Sequence, residues 1–368
     1  MPPVHELYYW IALRLIAGIG NVTCKNLLAR FGSPEQVFHA GSDALGQVEG
    51  MGPQAVEAIR QFRHSDAIDR EIERIEGAGV QVITIAHPGY PENLRNIYDP
   101  PQLLYVKGSI EPQDKNAVAV VGSRSSSDYG RRAAQDISRE LAASGITVVS
   151  GLARGIDSEA HAAALAVQGR TLAVLGCGVD TVYPPENKKL YDRIAENGAV
   201  VSEYSLGTKP NAYNFPARNR IISGLSLGVL VVEAGMKSGS LITARMALEQ
   251  GRDVYAVPGS IYSYKTKGTH SLLRTGAKLV EGAADILEEL NIGAPQQMPA
   301  EPEADRIAAL GPALQNLYGL LQDAPVQIDD LIVRSKLHSG QLLSLLLELE
   351  LSGFVRQLPG KRFVKMDV

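Results

Sequence analysis

Four short segments carry the residue types and spacing that could do chemistry. The first is Gly122-Ser123-Arg124, which closes the apolar run AVAVVG at 117–122, with Tyr129-Gly130 opening a helical stretch just after it. Backbone amides and a helix start at such a strand end form an anion site, and the Arg124 guanidinium adds a fork for phosphate oxygens. Neither G-x-G-x-x-G nor G-x-x-x-x-G-K-[ST] spacing is present, so this is not a dinucleotide fingerprint or a P-loop. The same residues would also serve as a plain strand-ending turn with a solvated arginine. The second segment, Ser150 to Asp157, reads SGLARGID. Its glycines permit close backbone approach, Asp157 suits the N-cap of the following helix, and Arg154 supplies a cation. His161 lies one helical turn further on, with no base or nucleophile to complete a catalytic set.

The third segment, Lys209 to Arg220, reads KPNAYNFPARNR and interleaves aromatics with cations. Cations that track phosphates and a ring face that accepts a base are the combination used by single-strand binders. Pro216 suits the start of a helix carrying Arg218 and Arg220. Two residues apart on a helix, these arginines point to different sides, so one reaches a ligand while the other braces the loop. Phe215 fits either a base-stacking or a core role. The fourth segment, Lys237 to Ala244, reads KSGSLITA, a small-residue turn opening a helix. The lone acid of its neighbourhood, Glu233, is positioned to order the loop by accepting hydrogen bonds.

The elements that must position these residues are short apolar runs alternating with helical stretches between 80 and 290: AVAVVG, ITVVSG, TLAVLG, AVVSEY, GVLVVEA and DVYAVPG. Runs apolar throughout, rather than alternating, fit strands covered on both faces. Strands alternating with helices predict a Rossmann-like, doubly wound α/β domain with a mainly parallel sheet. In such sheets ligands bind beyond the carboxyl ends of the strands, where all four segments fall. Residues 1–75 read as a small helical module with two helix-hairpin-helix-like turns, Ile16–Gly20 and Val48–Gly52. Such turns leave amides free for a phosphate, and they equally build a compact packing module. Residues 291–304, rich in Pro, Gln and Glu, read as a linker, and 305–368 as a winged-helix-like module.

Composition adds limits. The formal net charge is −4, so any basic surface must be local. The two cysteines, Cys24 and Cys177, form no C-x-x-C pair, and no His/Cys cluster has zinc spacing, which leaves free thiols and no metal site as the expectation. The first residues lack a signal-peptide pattern, and no stretch reaches the ~18 apolar residues of a membrane span, so the expected location is cytoplasmic.

GSRSSSDYG, SGLARGID, FPARNRIISGLS and SGSLITA, in this order and led in by YPENLRNIYDPPQLLYVKG at 90–108, resemble the signature of the DNA-processing protein A (DprA/Smf) family. The resemblance covers about residues 80 to 270. It implies a non-enzymatic protein without a cofactor. Such a protein binds single-stranded DNA in natural transformation, protects it, loads the RecA recombinase onto it, and forms a homodimer through the Rossmann-like domain. The family's DNA pocket carries over to Arg124, Lys209, Phe215, Arg218, Asn219 and Ser240. With their neighbours Gly122, Ser123, Arg154, Arg220 and Gly239, these make up the candidate DNA-binding set.

The competing reading is a nucleotide-binding enzyme or sensor on a related Rossmann-like fold, because a phosphate pocket alone does not separate a mononucleotide from a strand. The missing catalytic set and the aromatic–cation segment favour the strand. A sequence-reading transcription factor is disfavoured. The presumed recognition helix, Ser339 to Ser352, carries Glu348 and Glu350 but neither Lys nor Arg, and base-edge readout has only Gln341 to work with. That module is better suited to protein contact or an auxiliary role.

Overall fold

The glycine turns near the amino terminus join helices as their spacing predicts. In the computed structural model, α1 (Val4–Leu15), α2 (Asn21–Phe31), α3 (Pro34–His39), α4 (Ser42–Gly46), α5 (Pro53–Gln61) and α6 (Asp66–Gly77) precede the sheet. Gly20 is the N-cap of α2 and Gly52 that of α5. The second turn is held by the first hairpin: Asn26 Nδ2 donates to the Glu49 carbonyl over 3.2 Å, and Thr23 Oγ1 to that of Gly50 over 3.5 Å. Leu7, Trp10, Leu13 and Leu27 are fully buried between these helices. Their hydrophobic cluster continues into the sheet through Val82, Leu103, Tyr105, Ala173 and Val200.

The structure describes residues 3–291, 310–321, 325–351, 354–358 and 360–365, so nearly all of the expected linker lies outside the described residues. Two compact units are present, Met1–Pro295 and Gln296–Val368. The first holds a nine-stranded sheet in the order β1-β2-β6-β5-β4-β3-β7-β8-β9. Its strands are β1 (Gln81–Thr84), β2 (Leu103–Gly108), β3 (Ala117–Val121), β4 (Thr147–Ser150), β5 (Thr171–Val174), β6 (Ala199–Ser202), β7 (Gly228–Val231), β8 (Asp253–Ala256) and β9 (Lys278–Leu279). From β6 to β9 every pairing is parallel, while β2 runs antiparallel to both β1 and β6.

The continuous apolar runs follow from two-sided coverage. Ala117, Ala119 and Val121 pack with Ile221 and Ile222 of one helical layer, and Val118 and Val120 pack with Ala134, Ile137 and Leu141 of the other. Successive strand residues point to opposite faces, so both parities must be apolar. The connecting helices are α7 (Glu92–Arg95), α8 (Asp128–Ala143), α9 (Ile156–Ala166), α10 (Lys188–Asn197), α11 (Asn214–Leu225), α12 (Ser240–Glu249), α13 (Lys267–Arg274) and α14 (Ala283–Glu289). The sheet is thus the mainly parallel, Rossmann-like one that the sequence predicts, extended at one edge by an antiparallel pair.

The second unit has α15 (Pro312–Leu320), β10 (Val326–Gln327), α16 (Ile328–Ser335), α17 (Ser339–Leu351), β11 (Val355–Leu358) and β12 (Arg362–Lys365). Its three strands pair antiparallel in the order β10-β12-β11. Among the described residues, three helices and a three-stranded antiparallel sheet make winged-helix architecture. Its core is Leu317, Leu331, Leu342, Leu346, Leu349 and Phe363.

Candidate nucleic-acid interface

β3 lies between β4 and β7, so the chain crosses away from it in both directions and a crevice opens at the carboxyl ends of the strands. A cavity of about 1040 Å³ fills that crevice. Its walls are Val121 to Ser125, Ala153 and Asp157, residues of the first half of α11, the turn from Gly235 to Ser240, and Tyr264 with Lys267. Four loops far apart in sequence thus meet in one place.

The loop after β3 is fixed from below. Ser123 N donates to the Glu233 carbonyl over 2.7 Å. The buried Glu233 carboxylate accepts from Ser127 N (2.8 Å) and Ser127 Oγ (2.6 Å), so it orders the loop after β3 rather than the turn from Lys237 that the sequence suggested. Ser127 in turn caps α8 by accepting from Gly130 N. Arg124 stays at the surface, its guanidinium carbon 5.4 Å from the Phe215 ring centroid.

The loop after β4 differs from expectation in one respect. Asp157 is not the N-cap: Gly155 holds that position, at φ +74°, with its Cα against the Ser123 carbonyl where a Cβ would clash. Asp157 sits inside the first turn of α9, and its carboxylate accepts from the Gly151 and Ala153 amides at 3.1 and 3.4 Å. Burial pushes this carboxyl up, and the nearby Arg218 cation pulls it down. Arg154 is exposed and ion-paired with Glu186, at the edge of a small side cavity shared with Tyr183 and Phe215. His161 is fully buried, with Nδ1 2.6 Å from Thr171 Oγ1. Burial pushes its pKa down to about 3, so it is a neutral core residue.

On α11 the two arginines part. The helix starts at Asn214, two residues before Pro216, which occupies the first turn, where no amide is needed for intrahelical bonding. Arg218 turns under the cavity floor, 4% exposed, and donates to the carbonyls of Gly151 (2.9 Å) and Val174. A Cβ on Gly151 would stand 2.5 Å from the Arg218 guanidinium, so a larger residue there would have to push the arginine off its two carbonyls. Burial lowers the Arg218 pKa to about 10, which still leaves a cation at neutral pH. Arg220 faces the other way and is held by Asp99 (2.8 Å) and Glu203 (2.6 Å). It does not line the cavity, because these two acids hold its Nε and Nη2 on the other side of the helix. Asn219 links two pocket loops by donating to the Gly239 carbonyl over 3.4 Å. Phe215 is half-buried, its ring 5.6 Å from that of Tyr183 at 28°. Lys209 is exposed one residue before Pro210, which lines the cavity; Lys209 itself does not.

Gly239 precedes α12 and Ser240 begins it, with Ser240 Oγ 2.8 Å from Ser238 Oγ. The expected residues Gly122, Ser123, Arg124, Phe215, Arg218, Asn219, Gly239 and Ser240 therefore share one wall system. Tyr183, Tyr264 and Lys267 also line it and were missed by the sequence reading. The available signal was the ring–cation alternation in YSYKTK at 262–267. Among the described residues, no carboxylate lies within 4.0 Å of Arg124, Lys209, Lys237 or Lys267. Elsewhere cations such as Arg74, Arg170, Lys188 and Lys278 are ion-paired. Arg124, Lys237 and Lys267 therefore give the cavity wall a local positive charge on an acidic chain. A surface group outside it, His64, Asp66 and Asp69, brings possible ligand atoms within 4.8 Å of one another.

Residues 81–291 match the family described as DNA recombination-mediator protein A. The chain belongs to this family. Residues 299–361 match the DprA winged helix domain. Protein Smf of Synechocystis is 37% identical, over 97% of this chain and 98% of its own. The X-ray structure of Streptococcus pneumoniae DprA matches with a TM-score of 0.68 at 39% identity, covering 78% of this chain and 98% of that one. Helicobacter pylori DprA, described for its unique single-stranded DNA binding mode, matches with a TM-score of 0.53 at 31% identity, covering 58% and 96%. In the DprA winged helix unit of this chain, α17 keeps Leu342, Leu346 and Leu349 buried and leaves Leu343 and Leu347 exposed. No helix among the described residues is long and apolar enough to cross a membrane.

Proposed function

We propose that this recombination mediator binds single-stranded DNA in the cavity at the carboxyl edge of the sheet, protects the strand, and loads the RecA recombinase onto it. One observation carries the binding reading: a cavity wall in which Phe215 and Tyr183 lie beside the unneutralised cations Arg124, Lys237 and Lys267. Rings accept bases of any identity and cations track the backbone, so the expected selectivity is for single strands with little sequence preference. Arg218, buried under the floor, contributes a positive field and holds the ends of β4 and β5 in place. The H. pylori relative supports the choice of ligand. RecA loading, a role in transformation, a cytoplasmic location and a homodimer through the Rossmann-like domain are proposed from family membership.

We read the protein as a binder rather than an enzyme. His161 is neutral and sealed in the core, and Asp157 is engaged by two loop amides. The winged helix is assigned to protein contact, since α17 offers Glu348 and Glu350 where a DNA-reading helix would offer cations.

The test compares single- and double-stranded oligonucleotides of equal length in a gel shift at matched salt, with ATP and NAD as competitors. Tighter single-strand binding, weakened by salt and untouched by the nucleotides, is expected. Equal or better duplex binding refutes the reading, and displacement by ATP or NAD transfers the cavity to a nucleotide ligand.

A further inference from the structure

We propose that the loop from Ser260 to Lys267 is a second stacking platform that carries a strand out of the cavity, with Tyr264 and Tyr262 receiving successive bases and Lys265 and Lys267 the phosphates between them. The inference rests on the reading of the cavity as a single-strand site.

The loop is built at the cavity rim. Tyr264 and Lys267 line the cavity, and Lys265 Nζ reaches across to the Ser125 carbonyl over 2.6 Å, next to the Gly122-Ser123-Arg124 turn. Moving away from the cavity, Tyr264 is 72% exposed and Tyr262 92% exposed, with Ile261 beside them at 64%. A cluster of large apolar side chains facing water is informative where single exposed ones are not.

These rings are not exposed because the loop is slack. Ser263 N donates to the Ser260 carbonyl over 3.1 Å, and the buried Thr266 hydroxyl bonds the Ser260 and Ser263 carbonyls at 2.6 and 3.0 Å. Lys265 N is held by Ser263 Oγ at 3.2 Å, and Gly268 N by the Ala234 carbonyl at 2.7 Å. A loop closed by its own side chains holds both tyrosines out in a preset arrangement, which lowers the ordering cost of binding.

The charges fit a polyanion. Lys265 and Lys267 bond only neutral carbonyls, those of Ser125 and Ile261, and no carboxylate among the described residues lies within 4.0 Å of either. A phosphate can replace a carbonyl partner without breaking an ion pair. Ring, ring, cation, cation along Tyr262, Tyr264, Lys265 and Lys267 repeats the combination found in the Lys209–Arg220 segment. Charge complementarity therefore selects a nucleic-acid strand over a second copy of this acidic chain.

The site would then be longer than the cavity, and its affinity would step up once an oligonucleotide outgrows it. The test measures binding of full-length protein to oligo-dT of about 5 and about 15 nucleotides, within the span of known single-strand sites, by fluorescence anisotropy. The parent, Tyr262→Ala, Tyr262→Trp and Arg124→Ala are compared, with light scattering on each. Tyr262→Ala is expected to lower the long-to-short affinity ratio about tenfold, within the range for losing one stacked base. Tyr262→Trp restores the ratio, because a larger ring still stacks. Arg124→Ala weakens both lengths and leaves the ratio alone. An unchanged ratio in Tyr262→Ala, with Arg124→Ala still weakening both lengths, overturns the platform and leaves the cavity reading standing. A change of molar mass in Tyr262→Ala overturns it in favour of a contact between copies. If the parent binds neither length, the cavity reading fails and the platform falls with it.

Discussion

Arg124→Ala separates binding from folding, because the structure gives this side chain so little else to do. Arg124 is exposed, and among the described residues its side chain makes no hydrogen bond or ion pair and approaches the Phe215 ring at 5.4 Å. An exposed cation–π contact contributes about 0.5–1 kcal/mol, so the melting temperature should drop by no more than a few degrees. Binding should suffer more. A charge-assisted hydrogen bond to phosphate is worth about 1.5–3 kcal/mol, or roughly 10- to 100-fold in affinity. The salt series supplies the stricter number. Each phosphate contact on a single strand contributes about −0.7 to the slope of log K against log salt. If Arg124, Lys237 and Lys267 each make one, raising salt from about 50 to about 200 mM weakens the parent about 20-fold. Losing Arg124 removes about 0.7 of that slope, so the variant weakens only about sevenfold over the same range. The assay is fluorescence anisotropy with a labelled oligo-dT across the salt series, beside a thermal melt. Superimposable slopes for parent and variant, with equal affinity, would show that Arg124 touches no phosphate and that the cavity is wrongly assigned.

Three further outcomes are expected. Phe215→Ala should cost about 1–3 kcal/mol of DNA affinity, while Phe215→Trp keeps most of it; calorimetric titration beside melts checks this, and a large melting loss in both variants would move Phe215 into the core. Arg218→Met should instead cost about 3–5 kcal/mol of folding stability in urea, because it strips a buried cation from the Gly151 and Val174 carbonyls and from the field on Asp157; a variant that folds like the parent but no longer binds would make Arg218 a ligand contact. His161, whose pKa falls from an ordinary 6.5 to about 3 in the folded chain, leaves the unfolded state binding more protons below neutrality, so its contribution is intact above pH ~6.5 and lost as pH falls. By pH ~5 that loss is about 2 kcal/mol, and the opposing rise of the Asp157 carboxyl makes the difference between parent and His161→Gln the quantity to measure; parallel stability–pH curves would contradict it.

Much of the fold was legible because its signals are local. AVAVVG, ITVVSG and their kin are short, predominantly apolar without alternation and closed by small residues, the pattern of a strand covered on both faces. The edges were harder. β1 pairs antiparallel with β2, and β9 is two residues long, so neither presents the buried parallel pattern of the sheet centre. The helical turns near the amino terminus were legible as turns. Their sequence did not reveal that Asn26 and Thr23 bind the carbonyls of the second turn, nor that their core is continuous with Val82 and Tyr105. Those contacts join segments that only folding brings together.

The same division holds at the site. The sequence alone placed small-residue turns and cations at the carboxyl ends of strands, because strand, turn and helix start are each specified within a few residues. It also required Arg218 and Arg220 to point to different sides, since residues two apart on a helix diverge. Which of them faced the cavity depended on partners remote in the chain. Asp99, 121 residues upstream, takes Arg220, and the carbonyls of Gly151 and Val174 take Arg218. Tertiary structure likewise brought Tyr183, Tyr264 and Lys267 to a wall they share with Arg124. Whether a charge is neutralised, or a ring exposed, is a property of the neighbours the fold supplies, and no local pattern carries that information.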